Sequence, residues 1–307
     1  MVGLVLYALA GFVAQLVDGS LGMAFGVTAT TGLLVAGTAP AVASASVHLA
    51  EIGTAVASGA SHWRLGNVDW KVVGWLAVPG AIGGFAGATV LSSLSTEASE
   101  PWMAGLLITL GIYVVLRFTV WSRPVSRRTL TPAGRRWLVP LGVVAGFVDA
   151  TGGGGWGPIS TSTLLSSGKM TPRRTIGSVD TSEFIVAVAA SAGFLTALGG
   201  DVLSTTVIVG LLVGGVLAAP LAAYLVRILP TRMIGVGAGG MIVLSNAQVI
   251  LDTIDSATAV SVASYVVISV AWIALLTWAT RRTLAERRAA SATGSVSEAI
   301  PETDPVG

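Results

Sequence analysis

Asp149-Ala-Thr-Gly-Gly-Gly-Gly-Trp-Gly-Pro158 interrupts one apolar region of the chain, and Asp18-Gly-Ser-Leu-Gly-Met-Ala-Phe-Gly26 interrupts an earlier one. The apolar runs beside each interruption are about 14 residues long, whereas a helix needs about 20 residues to cross the hydrocarbon core of a bilayer. Irregular backbone at that depth persists only where it is buried in protein or lines a watery cavity. Each stretch is therefore predicted to be the tip of a hairpin of two half-helices, and the two tips are predicted to form opposite walls of one substrate site.

The composition is that of a membrane protein. Of the 307 residues, 53% are apolar and 10% are charged, and the mean hydropathy is +0.82. Soluble domains carry about 25% charged residues, so the chain is predicted to be polytopic, with the lipid bilayer as its main surroundings. The sequence has no cysteine, which excludes disulfides and thiolate metal sites. Its arginines lie in short loops and a tail, so no nucleic-acid partner is expected.

The distribution of arginine predicts the orientation in the membrane. The loop 122–137 carries several basic residues and no acid, and the region after residue 280 carries several more. By the positive-inside rule, both regions are predicted to be cytoplasmic. The basic residues in question are Arg123, Arg127, Arg128, Arg135, Arg136, Arg281, Arg282, Arg287 and Arg288.

Counting crossings from the basic loop, the first hairpin enters from the outer face and the second from the inner face. The predicted fold is an all-α polytopic membrane protein with two inverted repeats, each a re-entrant half-helix hairpin plus three transmembrane helices, and one extra C-terminal transmembrane helix. The charges agree equally with ten or eleven full spans, and only segment length favours hairpins. The predicted divisions are 1–121 (hairpin 3–37), 122–137, 138–251 (hairpin 138–168), 258–280 and a disordered cytoplasmic tail, 285–307.

The repeat is also visible in individual residues. Asp18 and Asp149 lie 131 positions apart, as do Gly26 and Gly157, and after one inserted residue Glu51 corresponds to Glu183. Coincident acids inside apolar segments are less easily explained by chance than coincident leucines or glycines. Inverted repeats around a site at the bilayer midplane are typical of secondary transporters.

Five motifs together resemble the sulfite-exporter TauE/SafE family, also called the toluene-sulfonate uptake permease (TSUP) family. They are Asp18 to Gly26, Pro40 to Glu51, His62-Trp-Arg-Leu-Gly-Asn-Val-Asp-Trp70, Asp149 to Pro158, and Gly177-Ser-Val-Asp-Thr-Ser-Glu-Phe184. The resemblance covers about residues 5–280. It implies a secondary carrier in the bacterial plasma membrane for sulfite, sulfoacetate or related organosulfonates, with export as the expected direction. The first tip departs from the usual glycine run at Ser20-Leu-Gly-Met-Ala24, which leaves open how closely it approaches substrate.

No lysine or arginine falls in the middle of the apolar segments, so the attraction for an anion is expected from the N-termini of the second half-helices, worth roughly 0.3–2 kcal/mol. Glycines would let the backbone approach the ligand, while hydroxyl, amide and indole groups would donate hydrogen bonds. The alternative is a broken helix that satisfies its own backbone, and for Asn246 a packing hydrogen bond. The predicted substrate-binding residues are Gly26, Thr28, Thr30, Thr151, Gly153, Gly154, Gly155, Trp156, Gly157, Ser160, Thr161 and Asn246.

Four ionisable residues in the first helix after each hairpin are candidates for proton coupling. His48 precedes Glu51 by one helical turn, and Asp180 precedes Glu183 by one turn, so each pair shares a face. Charges in the membrane interior usually mark ion or proton paths. The hypothesis is that one or both glutamates carry a proton coupled to anion movement, and the alternative is a neutral carboxylic acid that caps the hairpin backbone.

Asp18 and Asp149 end the first half-helices, where an acid opposes the helix dipole. They are predicted to cap the following half-helix, with Na⁺ or proton binding as the alternative. His48-x-x-Glu51 has metal-ligand spacing but lacks further ligands, so neither a metal nor another cofactor is expected. A homodimer is compatible with the sequence. The competing functions are an uptake carrier for another anion or a thio-compound and, less favoured without Cys or a His cluster, an intramembrane enzyme.

Overall fold

The computed structural model describes residues 2–21, 23–120, 131–167, 169–225 and 231–298, and all regular secondary structure within them is helical. The predicted all-α class is confirmed for these residues. In chain order, the helices are α1 (Val2–Leu21), α2 (Phe25–Val35), α3 (Pro40–Arg64), α4 (Trp70–Ser93), α5 (Thr96–Thr119), α6 (Pro132–Arg135), α7 (Leu138–Gly152), α8 (Ser162–Ser167, preceded by a π-helical turn, Gly157–Thr161), α9 (Pro172–Leu198), α10 (Thr205–Leu225), α11 (Thr231–Thr253) and α12 (Thr258–Glu298).

Among the described helices, five are long and apolar enough to cross a membrane: Trp70–Ser93, Thr96–Thr119, Arg174–Leu198, Arg232–Thr253 and Thr258–Arg288. This agrees with a multi-pass membrane protein. Shorter apolar helices are Gly3–Asp18, Phe25–Val35, Leu138–Gly152 and Thr205–Ala219. The helix α3 has 25 residues, which is sufficient length, but its buried polar side chains make it less apolar than the five.

Two helix ends differ from those predicted, and part of the predicted basic loop lies outside the described residues. The helix α1 continues past the predicted segment 3–17 to Leu21, through Asp18, because one glycine weakens a helix without ending it. The helix α12 is described through Glu298, where a tail without structure was predicted from residue 285; alanine, glutamate and arginine there favour helix. Arg123, Arg127 and Arg128 of the predicted basic loop lie outside the described residues.

The break after α7 has a local cause. Gly153 adopts a left-handed conformation with φ of 65° and ends α7, which is the role that glycine commonly plays at a helix C-terminus. Gly154 follows with φ of 148°. Pro158 then lies in the first turn of the next helical segment, where its missing N–H costs no hydrogen bond. The glycine run therefore ends one helix and allows the next to start at a new angle.

The first helix of each predicted hairpin packs on a helix of the other half: α1 on α10, and α7 on α4. Glycines permit both contacts, because a β-carbon on Gly142 would lie 2.7 Å from the carbonyl oxygen of Leu76, and one on Gly210 would lie 2.6 Å from Cβ of Tyr7. Small residues allow such close helix approach in membranes. The helices α3 and α9 pack on each other, as do α5 and α11. The two glycine-rich breaks are thereby brought toward α3 and α9.

Candidate functional site

The two glycine-rich breaks lie against each other. The hydroxyl of Thr30 on α2 donates a hydrogen bond to the carbonyl of Gly153 after α7. A β-carbon on Gly26 would lie only 2.8 Å from Cα of Gly154, so the two backbones meet with no room for a side chain. A positive φ at Gly154 adds a conformational reason for glycine there. The contact forms one site from two distant parts of the chain.

Asp18 and Asp149 bind the start of the helical segment that follows each break. Oδ1 of Asp18 accepts hydrogen bonds from the amides of Ala24 (2.7 Å) and Phe25 (3.2 Å). Oδ1 of Asp149 accepts from the amides of Gly155 (2.7 Å) and Trp156 (3.0 Å). In both cases the amides belong to the sixth and seventh residues after the acid. This is the geometry of a capping carboxylate, which satisfies amides that have no partner within their helix.

The second tip has an additional partner, His48 on α3. Its Nε2 lies 3.2 Å from Oδ2 of Asp149, and its Nδ1 lies 2.8 Å from the carbonyl oxygen of Ser44. A carbonyl only accepts, so Nδ1 must carry a hydrogen. Nε2 and the carboxyl oxygen then need one further proton between them, since two acceptors would otherwise face each other. Both side chains are buried, at 0% and 3% exposure, so this pair holds a proton away from solvent.

A small cavity lies where the tips meet α3 and α9, and among the described residues the polar side chains that line it are all acids. Its volume of about 10 Å³ is enough for about one water molecule. As far as the structure describes the chain, no lysine or arginine lines it. The lining includes the five acids Asp18, Glu51, Asp149, Asp180 and Glu183, and the four glycines Gly26, Gly154, Gly155 and Gly157.

Glu51 is the acid of this cavity that has an unpaired buried oxygen. Glu51 is 3% exposed, and a β-carbon on Gly26 would lie 2.8 Å from Oε1 of Glu51. Within the described part of the chain, its Oε2 is buried without a hydrogen-bond partner. Buried polar atoms without partners are rare and call for an explanation such as a bound ligand or a catalytic role. Oε2 of Glu51 therefore has the capacity to accept a hydrogen bond from a group that enters the cavity.

Several predicted substrate-binding groups already have partners elsewhere. The indole N–H of Trp156 donates to the carbonyl of Val179 at 3.2 Å, and the hydroxyl of Thr151 donates to the carbonyl of Phe147 in its own helix. The side-chain amide of Asn246 donates to Thr31 Oγ1 at 3.0 Å. These three groups thus hold the helices together in this conformation.

Other predicted residues lie in the core around the tips but do not line the cavity. Thr30 and Gly153 form the contact between the tips, and Thr161 is fully buried. In the described residues, the hydroxyls of Thr28 and Ser160 are buried and have no hydrogen-bond partner. Of the predicted substrate set, the four glycines at the tips are therefore the residues that line the cavity.

The sequence analysis assigned no role at this site to three polar residues around it: Ser44, Ser58 and His62. Ser44 binds His48 through its carbonyl, and its hydroxyl donates to the carbonyl of Ala150 at 2.7 Å. Ser58 and His62 contact Asp180. A signal was present, because His62 follows His48 by about four helical turns and so shares its face of α3.

The chain is similar to proteins that are named as membrane transporters. The family model described as "Sulfite exporter TauE/SafE" matches residues 7–249. The "Probable membrane transporter protein YtnM" of Bacillus subtilis (strain 168) is 47% identical over 270 residues, covering 88% of this chain and 90% of the relative. The "Probable membrane transporter protein YdhB" of the same organism is 28% identical over 172 residues, covering 54% of this chain and 68% of the relative. No solved structure matches the chain significantly.

Proposed function

This chain belongs to the sulfite exporter TauE/SafE family, and from that premise we propose that it carries a small sulfur-containing anion, such as sulfite, sulfoacetate or a related organosulfonate, between the two glycine-rich tips. The names of the family and of the relatives indicate a membrane transporter rather than an enzyme. One observation carries the location of the proposed site: two breaks 131 residues apart meet around a single buried cavity.

The architecture proposed for this carrier is an inverted repeat in which the hairpins α1–α2 and α7–α8 re-enter the membrane from opposite faces. Reciprocal packing supports it, because α1 contacts α10 in the same way that its counterpart α7 contacts α4. Matching caps at Asp18 and Asp149 support it as well. In such carriers the substrate site lies between the repeats, and one repeat moves against the other.

Substrate entry requires the tips to separate. The cavity has room for about one water molecule, whereas sulfite has four non-hydrogen atoms. The hydrogen bond from Thr30 to Gly153 joins the two tips next to the cavity. We infer that breaking this contact accompanies opening, as expected for a carrier with alternating access.

The acidic lining supports coupling to protons. An ionised carboxylate repels an anion more strongly inside a protein than in water, because the effective dielectric constant is lower. The proposed substrate therefore binds most favourably when carboxyls such as Glu51 and Glu183 are protonated, and proton and anion then move in the same direction. His48 and Asp149 form a closed pair and are assigned a fixed positioning role.

Direction follows from the gradients, since a secondary carrier is reversible. Export is the direction that the family name implies. The acidic cavity favours a second candidate, uptake driven by an inward proton gradient, because co-movement of proton and anion couples that gradient to entry.

Flux measurements in proteoliposomes test the proposal. A sulfonate is the suitable probe, because its charge does not change over the physiological pH range and any pH dependence then comes from the protein. We expect counterflow of radiolabelled sulfoacetate, and net flux of it that increases when the substrate side is acidified. Glu51→Gln and Glu183→Gln should remove the pH dependence, whereas Glu97→Gln, at an exposed residue at the start of α5, should retain it.

Two outcomes would contradict the proposal. Intact pH-dependent flux in both glutamine variants would exclude these carboxyls as proton carriers. Absence of counterflow with every sulfur anion would exclude a carrier of this substrate class. A thermal-shift screen against sulfite, sulfate, sulfoacetate, taurine and thiosulfate would identify the ligand, because a ligand that binds only the folded state raises its apparent stability.

A further inference from the structure

We propose that His62 and Asp180 form a path for protons between the acidic cavity and the protein surface beside the α3–α4 loop, residues 65–69. This inference rests on the proposed proton coupling and adds its route. Nothing in the family similarity assigns a role to either side chain.

Asp180 is the link because it touches both ends of the path. It lies on α9 and lines the cavity. Its Oδ2 accepts a hydrogen bond from the hydroxyl of Ser58 at 2.8 Å and lies 3.6 Å from Nε2 of His62. Asp180 therefore lines the proposed substrate site, and its carboxyl group also lies close to an imidazole.

The surroundings of His62 orient its ring for this transfer. Nδ2 of Asn67 lies 3.4 Å from Nδ1 of His62, and an amide nitrogen donates, so Nδ1 is the acceptor and Nε2 carries the hydrogen in this arrangement. The N–H thus points toward Asp180. A β-carbon on Gly177 of α9 would lie 3.0 Å from Nδ1, so the absence of a side chain there lets the ring lie against α9.

Exposure distinguishes this pair from the sealed one at the second tip. The side chains of His62 and Asp180 are 24% and 15% exposed, whereas those of His48 and Asp149 are 0% and 3% exposed. His62 lies near the end of α3, beside the loop 65–69, and is partly exposed, whereas His48 is buried. His62 is therefore the histidine that can exchange protons with solvent.

The transfer balances as a simple relay. A hydronium ion at the surface gives a proton to Nδ1 of His62 and leaves as water, while Asn67 gives up its hydrogen bond. The proton on Nε2 passes to Oδ2 of the ionised Asp180. The imidazole is neutral afterwards, as its other tautomer, and one proton has moved from the surface to the cavity. Histidine suits this role because its two ring nitrogens can bind and release protons on opposite sides.

Other ionisable groups surround the two ends of the path. On the cavity side, Asp180 shares the lining with Asp18 on α1, Glu51 on α3, Asp149 on α7 and Glu183 on α9. On the loop side, Asp69 is occupied in capping α4 through the amides of Lys71 and Val72. Asp18 and Asp149 are engaged in capping, so Glu51 and Glu183 are the proposed acceptors for a proton delivered to Asp180.

The path also has an expected side of the membrane. The loop lies between Arg64 and Lys71, and the positive-inside rule places such a loop in the cytoplasm. Protons would then pass between the cavity and the cytoplasm through His62, which is the step that a carrier needs when it releases or loads its proton on that side.

Two flux measurements on His62→Gln in proteoliposomes test the path. Glutamine keeps a hydrogen-bonding side chain but cannot relay a proton. Counterflow of sulfoacetate needs no net proton release and should stay within about twofold of the unmodified protein, whereas net flux driven by a pH gradient should fall at least tenfold. Arg64→Gln is the matched control and should change neither rate beyond twofold. In His62→Ala, added imidazole should restore part of the gradient-driven flux.

The possible results separate the path from the transport proposal. Equal gradient-driven flux in His62→Gln and the unmodified protein would overturn the path while leaving the carrier intact. A loss of counterflow equal to the loss of gradient-driven flux, with no rescue by imidazole, would mean a structural role and would also overturn it. An unmodified protein with counterflow but no response to a pH gradient would refute proton coupling itself.

Discussion

The two tips share one capping device but differ in what surrounds the capping acid. Asp18 and Asp149 each accept hydrogen bonds from the backbone amides of the sixth and seventh residues that follow. Asp149 is also paired with His48 on α3. Asp18 shares the cavity with Asp180, which occupies the position in the second repeat that corresponds to His48 in the first. One tip therefore faces a histidine where the other faces an acid.

This difference indicates unequal roles for the tips. A histidine partner shares a proton with Asp149 and compensates its charge, so the second tip is fixed to α3. The acid at the corresponding position beside the first tip offers no such compensation, and under the proposed coupling the carboxyls there take up and release protons. We infer that the second tip is the more rigid wall of the site, and that the first tip responds to the protonation of the cavity.

The largest effect is expected from removing the capping acids in turn. Asp149→Ala removes the oxygen that accepts hydrogen bonds from two backbone amides. It also leaves His48 buried without its partner, and breaking a buried charged pair costs about 3–5 kcal/mol. Asp18→Ala removes a cap only, which costs about 0.5–2 kcal/mol. Thermal unfolding of purified protein should show a clearly larger fall in Tm for Asp149→Ala. Equal falls would contradict the unequal roles of the two tips.

An intermediate effect is expected from adding a methyl group at the contact between the tips. Gly154→Ala introduces a β-carbon at φ of 148° against the backbone of Gly26 and Val27, and such strain costs about 1–3 kcal/mol. Gly26→Ala meets Glu51 and Gly154 at 2.8 Å without the unfavourable φ, so its effect should be smaller. Sulfoacetate counterflow should be lost in Gly154→Ala and reduced in Gly26→Ala.

Gly32→Ala is the matched control for these substitutions, because a β-carbon at Gly32 would meet no atom within 4 Å. Gly32 lies on the same short helix as Gly26. Alanine favours helix over glycine by about 1 kcal/mol, so this variant should keep its counterflow and its Tm. Loss of activity in Gly32→Ala would mean that α2 itself, rather than the contact between tips, is sensitive to substitution.

The smallest effect is expected at the second of the two residues whose amides each capping acid binds, Phe25 at the first tip and Trp156 at the second. Trp156 donates its indole N–H to Val179, whereas Phe25, at the corresponding place after Asp18, has no polar group in its side chain. Trp156→Phe makes the two tips alike and removes one buried hydrogen bond, worth about 0.5–1.5 kcal/mol. A small fall in Tm with intact counterflow is expected. A loss of counterflow at unchanged Tm would instead assign Trp156 to the substrate.

The class of the protein and its helices could be predicted from the sequence, since long apolar segments specify helices wherever the surroundings are lipid. The breaks were visible in the glycines, and the capping role of Asp18 and Asp149 followed from their position before a new helix. Helix ends were less predictable: α1 and α12 continue beyond their apolar parts, because helix propensity rather than hydropathy governs those residues. The number of crossings and the re-entrant hairpins remain predictions.

The sequence by itself determined the local structures, namely the caps at Asp18 and Asp149 and the helix end at Gly153. Each of these involves residues within about two helical turns of each other. Which helices meet was decided by the tertiary structure, through glycine surfaces that admit one particular neighbour. The pairs Thr30–Gly153, His48–Asp149 and His62–Asp180 join residues more than a hundred positions apart. Apolar helices carry little in their sequence to say which partner they pack against, so the gathering of these acids and histidines around one cavity emerged only with the packing of the helices.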